Sequence, residues 1–166
     1  MLVKLTKAEN ARLRWLRKAM STDVCRPTLT GFNTAGDHTV ATDGYRAHFI
    51  RTPDDLEKGP FKFKENLKAT DTVATVEPIK GTFPEVHQVL PDGEPVCEIF
   101  VSARLLREAL EGMGGGTGMV RLAVSEGERG KIEVFGLAKD KTEAYALIMP
   151  MAPRDRQSLT WKPSGD

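Results

Sequence analysis

The sequence predicts an α+β fold in which a βαβββ order of elements occurs twice. Each half contains a short amphipathic helix that begins at a hydroxyl N-cap, and an apolar strand-like run precedes each helix. Three segments rich in β-branched and aromatic residues follow each helix, as strands require. Units this short cannot each close a core alone. We therefore expect antiparallel sheets with both helices covering one face.

The first unit opens with a strand and a capped helix. Residues 1–5 alternate apolar and polar side chains, the pattern of a half-buried strand. Thr6 stands three residues before Glu9, which is the spacing of a capping box, and the helix should run to about Met20. Its apolar face contains Leu13, Leu16 and Met20.

Several strand-like segments follow this helix, separated by Asn, Asp and Gly turn residues. We predict three strands that complete the first unit, within 27–34, 38–42 and 45–50. A loop should occupy 52–60, and two further strands are expected over 61–66 and 72–78. Prolines at both ends of 83–91 favour an extended connection there.

The same order then begins again. Residues 96–101 predict a strand, and Ser102 should cap a helix with Leu105, Leu106, Ala109, Leu110 and Met113 on one face. A glycine-rich loop over 112–118 leads to three strands within 119–124, 131–136 and 143–149. We expect one domain over 1–153, composed of a first unit (1–52), a connection (53–95) and a second unit (96–153), followed by a flexible tail (154–166).

Composition limits the range of functions. The formal net charge of the 166 residues is +1, so any nucleic-acid contact must come from a local basic surface. Cys25 and Cys97 fit no metal or redox spacing, and no apolar run reaches the roughly 18 residues of a membrane span. His38, His48 and His87 lack nucleophiles or metal ligands at a recognised spacing. We expect a cytoplasmic protein that is not an enzyme and has no cofactor, bound metal or membrane contact.

Four motifs in one order resemble the bacterial sliding clamp, the β subunit of DNA polymerase III. They are RPTLTG at 26–31, ATDGYR at 41–46, GTFPEVHQVLP at 81–91 and IMPM at 148–151. The first two resemble half of the clamp's middle domain, the third its connection to the last domain, and the fourth the end of that domain. The resemblance implies the processivity (DNA clamp) fold in a shortened relative.

The resemblance also implies an apolar groove that binds a short peptide motif of partner proteins. The first half of the chain would contribute Leu29, Thr42, Gly44, Tyr45, Arg46 and Ala47, the connection Pro84, Gln88 and Val89, and the last strand Leu147, Ile148, Met149, Pro150 and Met151. Flexible Met149 and Met151 suit a promiscuous groove. Tyr45 and Ala47 depart from the family's usual His and Leu, which leaves partner specificity open.

The first helix carries a basic stripe. At 100° per residue, Lys7, Arg14, Arg17 and Lys18 lie beside the apolar face, and they are the expected contacts to the double-stranded DNA backbone, without base readout. An ordinary solvated helix face remains the alternative. Arg104 and Arg107 of the second helix are offset by glutamates.

Two functions fit this reading. One is a processivity factor of DNA replication or repair that encircles DNA as a homo-oligomer and tethers a DNA polymerase or another clamp-binding protein. The other is a non-encircling mimic or adaptor that binds clamp-interacting proteins and regulates replication.

Clamp-binding peptides typically begin with Gln and end in apolar or aromatic residues. Gln157 to Trp161 loosely has this outline, which makes the tail a candidate occupant of the groove.

Overall fold

The computed structural model describes residues 1–91, 93, 96–113, 118–125, 130–138, 140–151 and 163. This part of the chain forms two compact units, one within Met1–Asp92 together with Pro163 and the other within Gly93–Thr160. The single domain over 1–153 therefore stays a prediction. Apart from Pro163, the predicted tail lies outside the described residues, as do residues 114–117 of the glycine-rich loop.

The first unit is a six-stranded antiparallel sheet with one α-helix. Its elements are β1 (Leu2–Leu5), α1 (Lys7–Leu16), β2 (Phe32–Ala35), β3 (His38–Thr42), β4 (Ala47–Arg51), β5 (Gly59–Phe63) and β6 (Thr72–Pro78). The strand order is β1-β6-β5-β2-β3-β4. All five strands predicted after the helix are present, so β1 and α1 to β4 follow the expected βαβββ order.

Three local predictions are corrected by the structure. Residues Pro27–Thr30 form a 3-10 turn rather than the start of a strand, because proline at the first turn position favours a helical backbone there. A second 3-10 turn, Val86–Val89, interrupts the expected extended connection. The predicted loop over 52–60 is shorter, since β5 already begins at Gly59.

The predicted capping box at the start of α1 is confirmed. The backbone N–H of Glu9 donates to Thr6 Oγ1 at 3.2 Å, and the backbone N–H of Thr6 donates to Glu9 Oε2 at 2.7 Å. The α-helix ends at Leu16 and continues as a 3-10 turn over Arg17–Ala19. The helical segment therefore ends next to the expected Met20.

The sheet of the first unit is covered on both faces. Leu13 and Leu16 of α1 are fully buried on one face, against side chains of β1 to β6. On the other face, Val40 of β3 packs with a second cluster that includes Phe83 and Val86 of the connection. Strand β3 is therefore buried along its whole length.

The second unit is a three-stranded antiparallel sheet with one helix. Its elements are α2 (Ala103–Glu111), β7 (Arg121–Val124), β8 (Ile132–Leu137) and β9 (Glu143–Ile148), and the strand order is β7-β8-β9. Ser102 caps α2 as predicted, accepting a hydrogen bond from Leu105 N–H at 3.4 Å. The core of this unit contains Met113, Ile132, Val134 and Ile148.

The predicted strand over 96–101 is wrong. This segment has no regular structure, although Ile99 and Val101 pack against the core of the second unit. The Phe100 carbonyl accepts a hydrogen bond from Met151 N–H at 2.7 Å, but no ladder develops in the described residues. Apolar alternation cannot by itself provide the neighbouring strand that a β-ladder needs.

In the described part of the chain, no helix combines the length and the apolarity that crossing a bilayer requires. The same residues bring no three His, Cys, Asp or Glu side chains together in a way that could hold a metal ion.

Candidate functional site

The turn between β3 and β4 is closed by its own polar side chains. Thr42 Oγ1 donates to the Arg46 carbonyl at 2.7 Å and accepts from Gly44 N–H at 3.0 Å. Asp43 Oδ1 accepts from Tyr45 N–H at 3.0 Å and from Arg46 N–H at 3.1 Å. Gly44 has φ +92°, which favours glycine. The predicted turn at 43–44 is therefore confirmed.

Arg46 connects this turn to the end of the first helical segment. Its Nε lies 3.1 Å from Asp43 Oδ2, and its Nη2 donates to the Lys18 carbonyl at 2.6 Å. The Tyr45 N–H is the main cause that holds the pKa of the Asp43 carboxyl below its ordinary value, and the Arg46 contacts act in the same direction. Asp43 therefore remains an anion that orients the guanidinium.

The predicted groove residues of the first unit divide by exposure. Leu29 and Thr42 are buried and Ala47 is half-buried. The other predicted groove residues of this unit are exposed, namely the Gly44 backbone and the side chains of Tyr45, Arg46, Pro84, Gln88 and Val89. Tyr45 and Val89 are 98% and 78% exposed, so both offer apolar surface to a ligand.

A supporting cluster beneath these residues was missed by the sequence reasoning. Leu29 and Ala47 pack with Val40, Phe49, Phe83 and Val86. The register pairs Val40 with Phe49, which places both side chains on the same face of the sheet. The apolar character of Phe83 and Val86 was visible in the sequence, but their packing against β3 was not.

Two histidines adjoin this cluster. The rings of His38 and His87 meet edge-to-face with centroids 4.7 Å apart. Within the described residues, neither His38 Nε2 nor His87 Nδ1, both buried, has a hydrogen-bond partner. Their packing joins β3 to the 3-10 turn over Val86–Val89, with His38 fully buried and His87 half-buried.

In the second unit, β9 alternates between core and solvent. Ala144, Ala146 and Ile148 belong to the core cluster below the sheet, whereas Tyr145 and Leu147 are 55% and 47% exposed on the other face. Of the predicted groove residues, Ile148 is therefore a core residue, and Leu147 offers its side chain to solvent. This division follows from the two-residue period of a strand.

The segment after β9 carries the two predicted methionines. Met149 and Met151 are each 52% exposed, and Pro150 is half-buried. The hydrogen bond from the Met151 N–H to the Phe100 carbonyl holds residues 149–151 beside residues 96–101. Two partly exposed thioether side chains on an anchored backbone form an adaptable apolar surface.

The outer face of β7–β9 carries a depression of about 790 Å³. Phe135 and Tyr145 line it edge-to-face at 5.1 Å, and the Arg121 guanidinium lies 4.0 Å above the Phe135 ring. None of the predicted groove residues lines it. The depression lies on the face of β9 that carries Tyr145, and Leu147 is the next residue along the strand on that face.

The four basic residues predicted on the first helix are all exposed. Arg17 donates to the neutral Asn66 side chain at 3.1 Å. Among the described residues, none of the side chains of Lys7, Arg14, Arg17 and Lys18 forms an ion pair, although the Lys7 backbone N–H donates to the Asp71 carboxylate. In contrast, Arg104 and Arg107 of α2 are paired with Glu108 and Glu111. The first helix therefore presents uncompensated positive charge, and the second does not.

These features define the class of fold: the chain has the fold of the bacterial sliding clamps. The DNA polymerase III subunit beta from Pseudomonas aeruginosa matches with a TM-score of 0.55 and 18% identity, covering 90% of this chain and 51% of that chain. The corresponding subunit from Borrelia burgdorferi matches with a TM-score of 0.59 and 15% identity, covering 90% and 47%.

A third similar structure is the sliding clamp from Bartonella birtlesii bound to griselimycin, with a TM-score of 0.56, 16% identity and coverage of 92% and 52%. The chain spans about half the length of the clamp chains that it matches. No protein-family model and no curated protein matches it. At these identities the likeness establishes the fold.

Proposed function

We propose that this chain is a clamp-like factor of DNA replication or repair, without catalytic activity, that binds partner proteins through a short peptide motif. The carrying observation is a clamp fold with apolar side chains exposed at the positions that the resemblance assigns to a groove. These are Tyr45 and Val89 in the first unit and Leu147, Met149 and Met151 in the second. Single exposed apolar side chains are common on protein surfaces, so the three in the second unit, which lie within five residues of one another, support the proposal most strongly.

Peptide binding is tested by fluorescence anisotropy with a labelled pentapeptide that begins with Gln and ends in Leu-Phe. Leu29 is an unsuitable probe, because it is buried and its truncation would disturb the core. Val89→Ser and Met149→Ala change exposed side chains instead. If a ligand buries them, each should weaken affinity by about 1–2 kcal/mol.

Matched controls exist in each unit. Val73 is 62% exposed on β6 and Leu122 is 54% exposed on β7, and neither belongs to the predicted groove. Val73→Ser and Leu122→Ala should leave peptide affinity unchanged. Equal affinity of the test variants and the controls, with the fold intact, would reject the groove.

The second part of the proposal is that the basic stripe of the first helical segment contacts the phosphates of double-stranded DNA. Arg14→Glu with Arg17→Glu should abolish duplex binding, and log Kd of the unmodified chain should depend strongly on salt concentration. Arg104→Glu with Arg107→Glu makes the same change in charge on α2, where both arginines are already ion-paired. This control should retain most of the duplex affinity, and equal losses in both variants would contradict a specific role for the stripe.

Encirclement of DNA additionally requires several copies, since this chain spans about half of a clamp chain. The resemblance to sliding clamps implies a ring of six domains, so we propose a homo-oligomer of comparable size. Light scattering over a range of concentrations measures the mass directly. A stable oligomer of that size supports a ring, whereas a monomer at all concentrations would leave the non-encircling adaptor as the working model.

A further inference from the structure

Trp15 is an exposed aromatic side chain on a helix whose other large apolar residues are buried. Its side chain is 46% exposed, whereas Leu13 and Leu16 on either side are 0% exposed. At 100° per residue, Trp15 lies on the solvent side of α1, near Lys18 of the following turn. Packing in the core therefore does not account for a tryptophan at this exposed position beside the basic residues.

The indole ring is held in place by His48. The two rings are stacked with centroids 4.3 Å apart and planes 12° apart. His48 reaches α1 because the β3–β4 register pairs it with Ala41, whose side chain lies in the core beneath the helix. A second contact, 3.3 Å from His48 Nδ1 to the Trp15 carbonyl, is a hydrogen bond when Nδ1 carries the proton.

This arrangement lowers the entropy cost of using the indole as a binding surface. A free tryptophan side chain must give up its rotamer freedom when a ligand packs against it. Here stacking on one face already restricts the ring, while nearly half of the side chain remains accessible. The site is therefore organised before a ligand arrives.

The charges around Trp15 favour an anionic ligand. Lys18 lies three positions after Trp15 and is its neighbour on the helical surface, and Arg14 lies about 100° further round, whereas Arg17 points away from the indole and donates to Asn66. In the described part of the chain, no carboxylate lies within salt-bridge distance of the Arg14 or Lys18 side chain. Cations alone suit any polyanion, and an exposed indole alone suits any apolar ligand. Both together, on one helical segment, match a nucleic acid strand whose bases are unpaired, because phosphates meet the cations and a base stacks on the ring.

We propose that Trp15 is a stacking site for an unpaired nucleobase, so that the first helical segment binds single-stranded DNA in addition to the duplex backbone. This inference rests on the proposed DNA-binding role of the basic stripe and specifies its ligand. The bases of an intact duplex are stacked inside the helix and cannot reach the indole. Selectivity for unpaired DNA would therefore depend on Trp15, and affinity for either form on the cations.

Trp15 fluorescence provides a direct measurement. The chain contains two tryptophans, so a Trp161→Phe variant makes Trp15 the sole indole. We expect titration with single-stranded oligothymidine to quench its emission, whereas a blunt-ended duplex should bind with little quenching. Binding of the single strand is followed separately by the anisotropy of a labelled strand. If the strand binds but does not quench Trp15 emission, the inference is overturned, and this test requires no destabilising mutation.

Trp15→Leu tests the energetic contribution. Loss of one stacked base should weaken single-strand binding about 5- to 150-fold and leave duplex affinity within about twofold. Tyr145→Leu removes an aromatic side chain of similar exposure in the other unit and should change neither affinity. Unchanged single-strand affinity in Trp15→Leu, with duplex binding preserved, overturns the stacking site alone. If the unmodified chain binds neither form, the proposed DNA-binding role fails as well.

Discussion

The guanidinium of Arg46 donates a hydrogen bond to the carbonyl oxygen of Lys18 at 2.6 Å. Arg46 belongs to the predicted peptide groove and Lys18 to the predicted DNA-binding stripe. The turn after β3 and the end of the first helical segment are thus joined by one side chain, and a cation near a helix C-terminus also interacts favourably with the helix dipole.

Replacing Arg46 by alanine should therefore lower the free energy of unfolding by about 1 kcal/mol, because the Lys18 carbonyl loses its donor. Arg46→Lys should restore only part of this stability, since one ammonium group does not reproduce the planar fork that contacts both Asp43 and Lys18. Urea unfolding measures both variants. Full restoration by lysine would show that charge alone matters.

The capping box of α1 predicts a dependence of stability on pH. The Thr6 hydroxyl, followed by the Thr6 backbone N–H, lowers the pKa of the Glu9 carboxyl from its ordinary value. Because the Glu9 pKa is lower in the folded protein than in the unfolded chain, where it is about 4.3, the ionised carboxyl stabilises the fold at pH values above that unfolded-state pKa. This stability is lost as the pH falls through the lower, folded-state pKa of Glu9. Glu9→Gln should be less stable at pH 7 and lose less stability on acidification. Parallel pH profiles of the two proteins would contradict the prediction.

Asn10 should be an important polar residue of the core. Its side chain is fully buried, and Nδ2 lies 2.9 Å from the Thr70 carbonyl and 3.0 Å from Thr72 Oγ1, which joins α1 to the start of β6. Asn10→Ala should lower the free energy of unfolding by about 1–3 kcal/mol, because buried acceptors lose their donor. The exposed Asn66→Ala is the matched control, with an expected change below about 0.5 kcal/mol.

Gly31 is required by packing rather than by its backbone angles. Its φ of −137° suits any residue, but a Cβ there would overlap Ile79 Cδ1 and the Phe61 carbonyl oxygen. Gly31→Ala should therefore cost about 1–3 kcal/mol, since the Phe61 backbone would have to shift. Gly112→Ala provides the comparison, because a Cβ there meets its nearest heavy atom at an ordinary 3.6 Å. A stable Gly31→Ala protein would show that β5 can move.

Part of the candidate site followed from the sequence. The turn at 43–44 depends on neighbouring residues, so its Asp-Gly pair sufficed to predict it. The exposure of Met149 and the lack of ion pairs on the basic stripe depend on distant segments, and local sequence did not predict them. The sequence did not predict which of the groove residues face solvent. Leu29 and Ile148 are buried and Val89 is exposed because of the strands and clusters that each unit assembles around them.

The sequence by itself determined the α+β class, the two capped helices and the nine strands of the described residues, since caps and periodicity act within a few residues. Tertiary structure decided the sheet order, the conformation of 96–101 and the cover that Phe83 and Val86 give to β3. It also brought His48 onto Trp15, which lies 33 positions earlier. Pairings of this kind join distant segments, and their energy comes from burial and ladder hydrogen bonds that no local pattern encodes.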